Sequence, residues 1–287
     1  MLTNRVRSLG WLALAAFLPL SCVAAEPAHR IVSLAPNLTE LAFTAGAGEQ
    51  LVGTVEYSDT PPAAKKLPRI GDAFRVDFEK ILALAPDVVL AWEPGTPVAT
   101  VEKLRAFHLR VTMIHTGRLA EIGSAVRTIG ELAGTSGIAE AAARDFESQL
   151  QSLRQLYAAR APVRVFVEIQ NQPLYTVGGK QIISEIVSLC GGENVFASLS
   201  SLAPAVGIES VIAADPQAIL SLDETVATPM TNWAGWPSIT AVGSGNVFRI
   251  SADSLSRATT ATLEGMRATC EALNVARSHL QRAGKGG

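Results

Sequence analysis

From His29 onward the chain alternates short apolar runs with stretches in which apolar side chains return every three or four positions. The runs are "HRIVSLAP", "QLVGTVEY", "DVVLAW" and "RVTMIH" in the first half, then "VRVFVEI", "NVFA", "QAILSL" and "NVFRI" in the second. They are continuous rather than polar at every other position, so they read as strands buried on both faces, in mostly parallel sheets flanked by helices. The intervening segments read as helices: "NLTELAFTAG" closed by Gly46, "DFEKILALA" stopped by Pro86, "TVEKLRAFH", "QIISEIVSLCGG", "IESVIAA", and a closing helix from Leu263 to Leu280. Strand character is absent from about Leu119 to Arg160. The later part of that stretch, "GIAEAAARDFESQLQSLRQLYAAR", is rich in strong helix formers and holds no proline, so it reads as one long helix.

The second half repeats the first. "FEKILALAPDVVLAW" (Phe78–Trp92) aligns with "IESVIAADPQAILSL" (Ile208–Leu222): with Glu79 set over Glu209, Ala83 falls on Ala213 and Pro86 on Pro216. Nearer each start, "TELAFTAGAGEQLVG" answers "SEIVSLCGGENVFAS", with Glu40 over Glu185 and Gly46 over Gly191. Chance likeness between β–α–β units is the alternative, but two phrases recurring in the same order favour a repeat. The expected architecture is therefore α/β, with two similar lobes, residues 26–136 and 162–287, joined by a helix over 137–161, and a ligand cleft between them.

Composition narrows the setting. Hydrophobic residues make up 48% and charged residues 17%, enough for a large core, and a net charge of -2 provides no basic field for nucleic acid. Arg5 and Arg7 precede the apolar run "LGWLALAAFLPL", and small residues stand at Val23 and Ala25. This is the pattern of a secretory signal over residues 1–25, cut after Ala25, with an apolar run too short to span a bilayer comfortably. An uncleaved anchor is one alternative; a lipidated Cys22 is another, though "PLSC" lacks the leucine usual three residues earlier. Cleavage leaves Cys190 and Cys270, an even pair that in an oxidising compartment reads as one disulfide, two separate buried thiols being the alternative.

Catalytic signatures are missing. "VGGKQ" around Lys180 is a weak phosphate-loop lookalike, lacking the earlier glycine and carrying Gln181 in place of Ser/Thr. Neither "GxSxG" nor "HExxH" occurs, and His29, His108, His115 and His279 are scattered, with structural or solubilising roles the simplest reading. Aromatic residues are scarce at 6%, so those at predicted strand ends and in the adjoining loops stand out: Tyr57, Phe74, Trp92 and Tyr175. Ligands of open α/β sheets gather beyond the carboxyl ends of the strands, which points these side chains at a cleft, with core capping the alternative. Trp233 and Trp236 read as loop packing.

"RIVSLAPNLTELAFTAG", "YSDTPP", "ILALAPDVVLAW", "LCGGENVF" and "SADSLSRA" together resemble the cobalamin-binding branch of the helix-linked periplasmic binding proteins of ABC importers, a class that also delivers haem and ferric siderophores. The resemblance covers nearly all of the chain after the signal. It implies a non-enzymatic protein with no cofactor of its own, cobalamin being the transported ligand. It further implies a free monomer that meets a dimeric permease with ATPase subunits in the periplasm. Tyr57, Phe74, Trp92 and Tyr175 match the aromatics that surround the corrin ring, Phe74 standing where tryptophan is usual. Asp253 and Arg257 match a polar pair that meets the ligand from the second lobe. Ala203 departs from the pattern, in place of a tryptophan, and bears on which ligand is bound. Glu79 and Glu209 match carboxylates that dock onto permease arginines, one per subunit; a charge at a helix start would account for each singly, but less readily for both at matching places in two lobes. Rival functions are haem or ferric-siderophore binding within the class. Outside it stand an exported metal-dependent hydrolase, which lacks a visible ligand cluster, and a plain interaction module.

Overall fold

A computed structural model describes residues 26–72, 74–223 and 230–283. The predicted signal segment, Cys22 included, lies outside the described residues. The first lobe holds a parallel sheet of β1 (Ile31–Ser33), β2 (Leu51–Gly53), β3 (Val88–Glu93) and β4 (Val111–His115). The second holds β5 (Val163–Glu168), β8 (Gly192–Asn194), β9 (Ala218–Asp223) and β10 (Val247–Ser251), also parallel. Spatial order is β2-β1-β3-β4 in one and β8-β5-β9-β10 in the other: second, first, third, fourth strand of each lobe. The repeated phrases thus encode one topology twice. A short antiparallel pair, β6 (Gln170–Asn171) and β7 (Leu174–Tyr175), projects from the second lobe.

The repeat extends to backbone details. Gly46 and Gly191 both end helices with left-handed φ, +79° and +73°, where a side chain would be strained. Ala85 and Asp215, each just before an aligned proline, adopt φ of 42° and 41°. The Arg30 N–H donates to Asp87 Oδ2 (2.8 Å), and the Arg164 N–H donates to Gln217 Oε1 (3.0 Å).

Strand side chains alternate between two buried faces. Ile31, Val88 and Leu90 from the first sheet and Val163, Val165, Val167, Ala218 and Leu220 from the second join one continuous core. Val32, Val89 and Ala91 pack on the outer face of the first sheet, Phe166 and Ile219 on that of the second. The shared core is filled by α1 (Pro36–Thr44), α4 (Leu119–Ala133), α5 (Ser136–Tyr157), α6 (Ile182–Leu189) and α10 (Thr262–Ala283). Shorter helices are α2 (Phe78–Ala83), α3 (Val98–Ala106), α7 (Ile208–Ala214), α8 (Thr240–Gly243) and α9 (Ala252–Ser256).

Several elements differ from the sequence reading. The strand expected over "QLVGTVEY" stops at Gly53, and Tyr57 sits in a turn at φ 64°. The strand expected over "NVFA" falls instead on Gly192–Asn194, because Asn194 turns the chain by accepting from the Phe196 N–H (2.9 Å). The segment before the long helix is itself a helix, α4, masked in the sequence by Gly123 and Gly130, poor helix formers. Gly130 is there for contact: a Cβ on it would lie 2.2 Å from Ala139 Cβ, so the glycine lets α4 and α5 pack closely. Arg127 then ties the two helices, its Nε to Glu140 (2.6 Å) and both terminal nitrogens to Glu147 (2.6 and 2.9 Å). Cys190 and Cys270 form a disulfide between the end of α6 and α10.

Candidate functional site

The carboxyl ends of both sheets converge on a cleft. Two cavities of about 430 and 470 Å³ occupy it, sharing Ile169, Gln181, Ala203 and Ser256. Trp92, at the end of β3, lines the first, and Tyr175, in β7, lines the second. The indole is held on several sides. Its Nε1–H donates to the buried Thr116 Oγ1 (2.8 Å), while the Trp92 backbone N–H donates to Thr96 Oγ1 (2.9 Å). Gly95 lies beneath the ring; a Cβ there would come within 2.1 Å of Trp92 Cε3. A fixed, half-buried indole with cavity on one side is suited to stacking on a flat conjugated ring, the geometry in which aromatic faces contribute most.

The structure brings only some of the sequence-nominated residues together. Tyr57 and Phe74 line neither cavity and stand 75% and 76% exposed on loops of the first lobe. Tyr57 is nevertheless held in its left-handed conformation by its surroundings. Ser58 next to it is buried, its Oγ accepting from Thr54 Oγ1 (2.9 Å) and its carbonyl from Arg69 (3.1 Å). A large exposed side chain on an unfavourable backbone is a pattern associated with binding sites. Asp253 and Arg257 pair at 3.0 Å and line a separate cavity of about 210 Å³ with Glu40, Thr60 and Glu264. Glu79 and Glu209 are exposed in the first turns of α2 and α7. Trp233 is buried, as the loop-packing reading expects: its Nε1–H donates to Glu168 Oε2 (2.8 Å), and its ring meets Phe166 edge-on.

The sequence reading missed polar groups of the cleft. His115, Arg118, Glu121, Lys180 and Gln181 line the cavity of about 430 Å³ with Glu93. His115 ends β4 and its Nδ1 lies 3.4 Å from Glu93 Oε2, so it is a cleft residue rather than a merely solubilising one. The strand-end rule that picked out Trp92 would have found it had it been applied to non-aromatic residues. Gln181 caps α6 by accepting from the Ile183 N–H. Among the described residues no group of three or more His, Cys, Asp or Glu is placed to hold a metal ion.

Residues 31–254 match the family described as Periplasmic binding protein. The chain belongs to that family. Within it, this periplasmic binding protein is 37% identical over 251 residues to the Vitamin B12-binding protein of Vibrio cholerae serotype O1, covering 87% of this chain and 91% of the relative. It is 37% identical over 212 residues to the protein of the same name from Pectobacterium atrosepticum, covering 71% and 76%. Its fold superposes on the crystal structure of the periplasmic Vitamin B12 binding protein of Vibrio cholerae with a TM-score of 0.82 and 36% identity, over 88% of this chain and 98% of that one. A periplasmic heme-binding protein from Roseiflexus sp. RS-1 aligns with a TM-score of 0.74 and 25% identity, over 86% and 98%. The family consists of binding proteins, not enzymes.

One buried acid has a pH signature. Glu40 is 8% exposed, and burial raises its carboxyl above the ordinary 4.5, opposed by the hydrogen bond from Thr259 and the charge of Arg257 and reinforced by Asp253. A carboxyl whose folded pKa is raised takes up a proton on folding. Its contribution is fully present below the unfolded value and is lost as pH rises through the folded value. Glu40→Gln is therefore expected to gain stability relative to the parent protein as pH rises above about 4.5, measured by denaturant unfolding at several pH values. A difference that does not change with pH would contradict the raised pKa.

Proposed function

We propose that this protein captures cobalamin in the periplasm and delivers it to an ABC importer. The observation that carries the reading is Trp92, an indole held by Thr116 and Gly95 so that it faces a cavity shared by both lobes. Its kinship with vitamin B12-binding proteins supports the same ligand. In this reading residues 1–25 are a signal cut after Ala25, residues 26–136 and 162–287 are the lobes, and 137–161 the link. Tyr57 and Phe74 meet the ligand at the cleft rim, and Asp253 and Arg257 meet its polar edge from the second lobe. Glu79 and Glu209 engage one subunit each of a two-fold permease that carries ATPase subunits, and the free protein is a monomer.

Haem is the rival that a specific feature favours, since His115 in the cleft is a possible axial ligand. Calorimetric titration with cyanocobalamin, haemin and a ferric siderophore in parallel separates the three, and cyanocobalamin is expected to bind most tightly. Trp92→Ala should then weaken that binding by about 1–3 kcal/mol, through lost aromatic contact and apolar burial. Unchanged affinity in this variant would remove Trp92 from the site.

A further inference from the structure

Neither carboxylate of the Glu40–Glu185 echo lines the 430 or 470 Å³ cleft cavity, yet both cross between the lobes. Glu40, on α1 of the first lobe, accepts from Thr259 Oγ1 of the second at 2.5 Å. Glu185, on α6 of the second lobe, accepts from the Leu119 N–H at the start of α4 at 3.0 Å, and Arg154 of α5 lies 3.4 Å from its other oxygen. The two recipients are comparable: each leads into a long helix, directly after β4 in the first lobe and after β10 and the short α9 in the second. Each turn also carries an arginine.

Arg118 immediately precedes Leu119 and lines the cleft cavity of about 430 Å³ beside Trp92. Arg257 lies two residues before Thr259, and its carbonyl accepts from the Thr259 N–H (2.8 Å) and from Thr262 Oγ1 (2.6 Å), so the turn moves as a unit. Ser256 and Ala258, on either side of Arg257, line the same 430 Å³ cavity as Arg118, while the Arg257 guanidinium pairs with Asp253 at the separate cavity of about 210 Å³.

We propose that Arg118 is a ligand contact from the first lobe paired with Arg257 from the second, and that Glu185 and Glu40 are positioning residues. Each glutamate holds the arginine-bearing turn of the opposite lobe. Reciprocal latches of this kind fix the separation of the two arginines, so the cleft is selective for a ligand with hydrogen-bond acceptors, carbonyl or phosphate oxygens, at opposite edges of an apolar plate. Guanidinium forks suit such acceptors. The proposal rests on the cobalamin reading for the identity of the ligand but not for the latches themselves.

Two measurements test it. In the first, Arg118→Ala should weaken cyanocobalamin binding about ten-fold, as loss of a charge-assisted hydrogen bond does; unchanged affinity overturns the contact. In the second, nitroxides placed by Glu102→Cys and Ser238→Cys, one on each lobe, report the distance between lobes in the free protein. Glu40→Ala and Glu185→Ala should broaden that distance distribution, Glu40→Gln and Glu185→Gln should restore it because the amide oxygen still accepts, and Thr259→Val should reproduce Glu40→Ala from the other side of the bond. In the same variants, release of cyanocobalamin should quicken about ten-fold with alanine and recover with glutamine. Alanine and valine variants with the parent distance distribution and release rate overturn the positioning role. Failure of the unaltered protein to bind cyanocobalamin would overturn the functional reading and the Arg118 contact, while the latches would still be decided by the distances in the free protein.

Discussion

With Glu79 and Glu209 both changed to alanine, stable association with the permease is expected to disappear while the fold and cyanocobalamin affinity persist. Both carboxylates are exposed, and among the described residues no hydrogen bond or ion pair engages either. α2 and α7 run back from the carboxyl ends of their preceding strands, so both acids stand at the cleft end of their lobes. A capping role explains Glu79 poorly, because Asp77 already caps α2 by accepting from the Lys80 N–H (3.1 Å). α7 has only Gly207 at its cap, and there Glu209 can add the roughly 0.3–1 kcal/mol of a favourable charge at a helix start. Truncating one partner of a carboxylate–arginine pair desolvated on docking costs about 2–5 kcal/mol. Each single variant should therefore lose part of the affinity and the double variant nearly all of it, as read by pull-down with detergent-solubilised permease. Capture at parental strength by the double variant would reduce both glutamates to helix-start charges.

Replacing Cys190 and Cys270 together with alanine is expected to give the largest loss of stability. The disulfide closes a loop spanning a sequence separation of 80 residues, and both sulfurs are buried. In the chain-entropy account a closed loop of this length disfavours the unfolded chain by about 4–5 kcal/mol. For a domain of this size that corresponds to a fall in Tm of about 10–15 °C. Arg277 braces the same corner independently, donating to the carbonyls of Ala161 (2.7 Å), Cys190 (2.7 Å) and Gly191 (3.0 Å). The variant should accordingly still fold at low temperature. Calorimetric melting decides it, and a shift of less than about 3 °C would mean that the cross-link constrains the unfolded chain far less than its length implies.

The amino-acid sequence by itself determined the two-lobed α/β architecture, because continuous apolar strands between amphipathic segments have few ways to bury both faces. It determined the repeat, since Gly46 with Gly191 and Pro86 with Pro216 mark backbone positions that local chemistry constrains. It nominated Trp92 and Tyr175, because strand ends in such sheets open onto clefts, and it paired Cys190 with Cys270. Only the tertiary structure decided which strand-end and loop residues share a cavity. Tyr57 and Phe74 are exposed, while His115, Arg118 and Lys180 line the cleft, a distinction set by loop paths and lobe packing that no local pattern records. The same holds for α4, whose glycines weaken its helical signal but fit the close approach of α5. It holds above all for Glu40 and Glu185: their alignment was visible in the sequence, but the Thr259 and Leu119 partners lie in opposite lobes, and hydrogen bonds between segments so far apart in the chain exist only once both cores have formed.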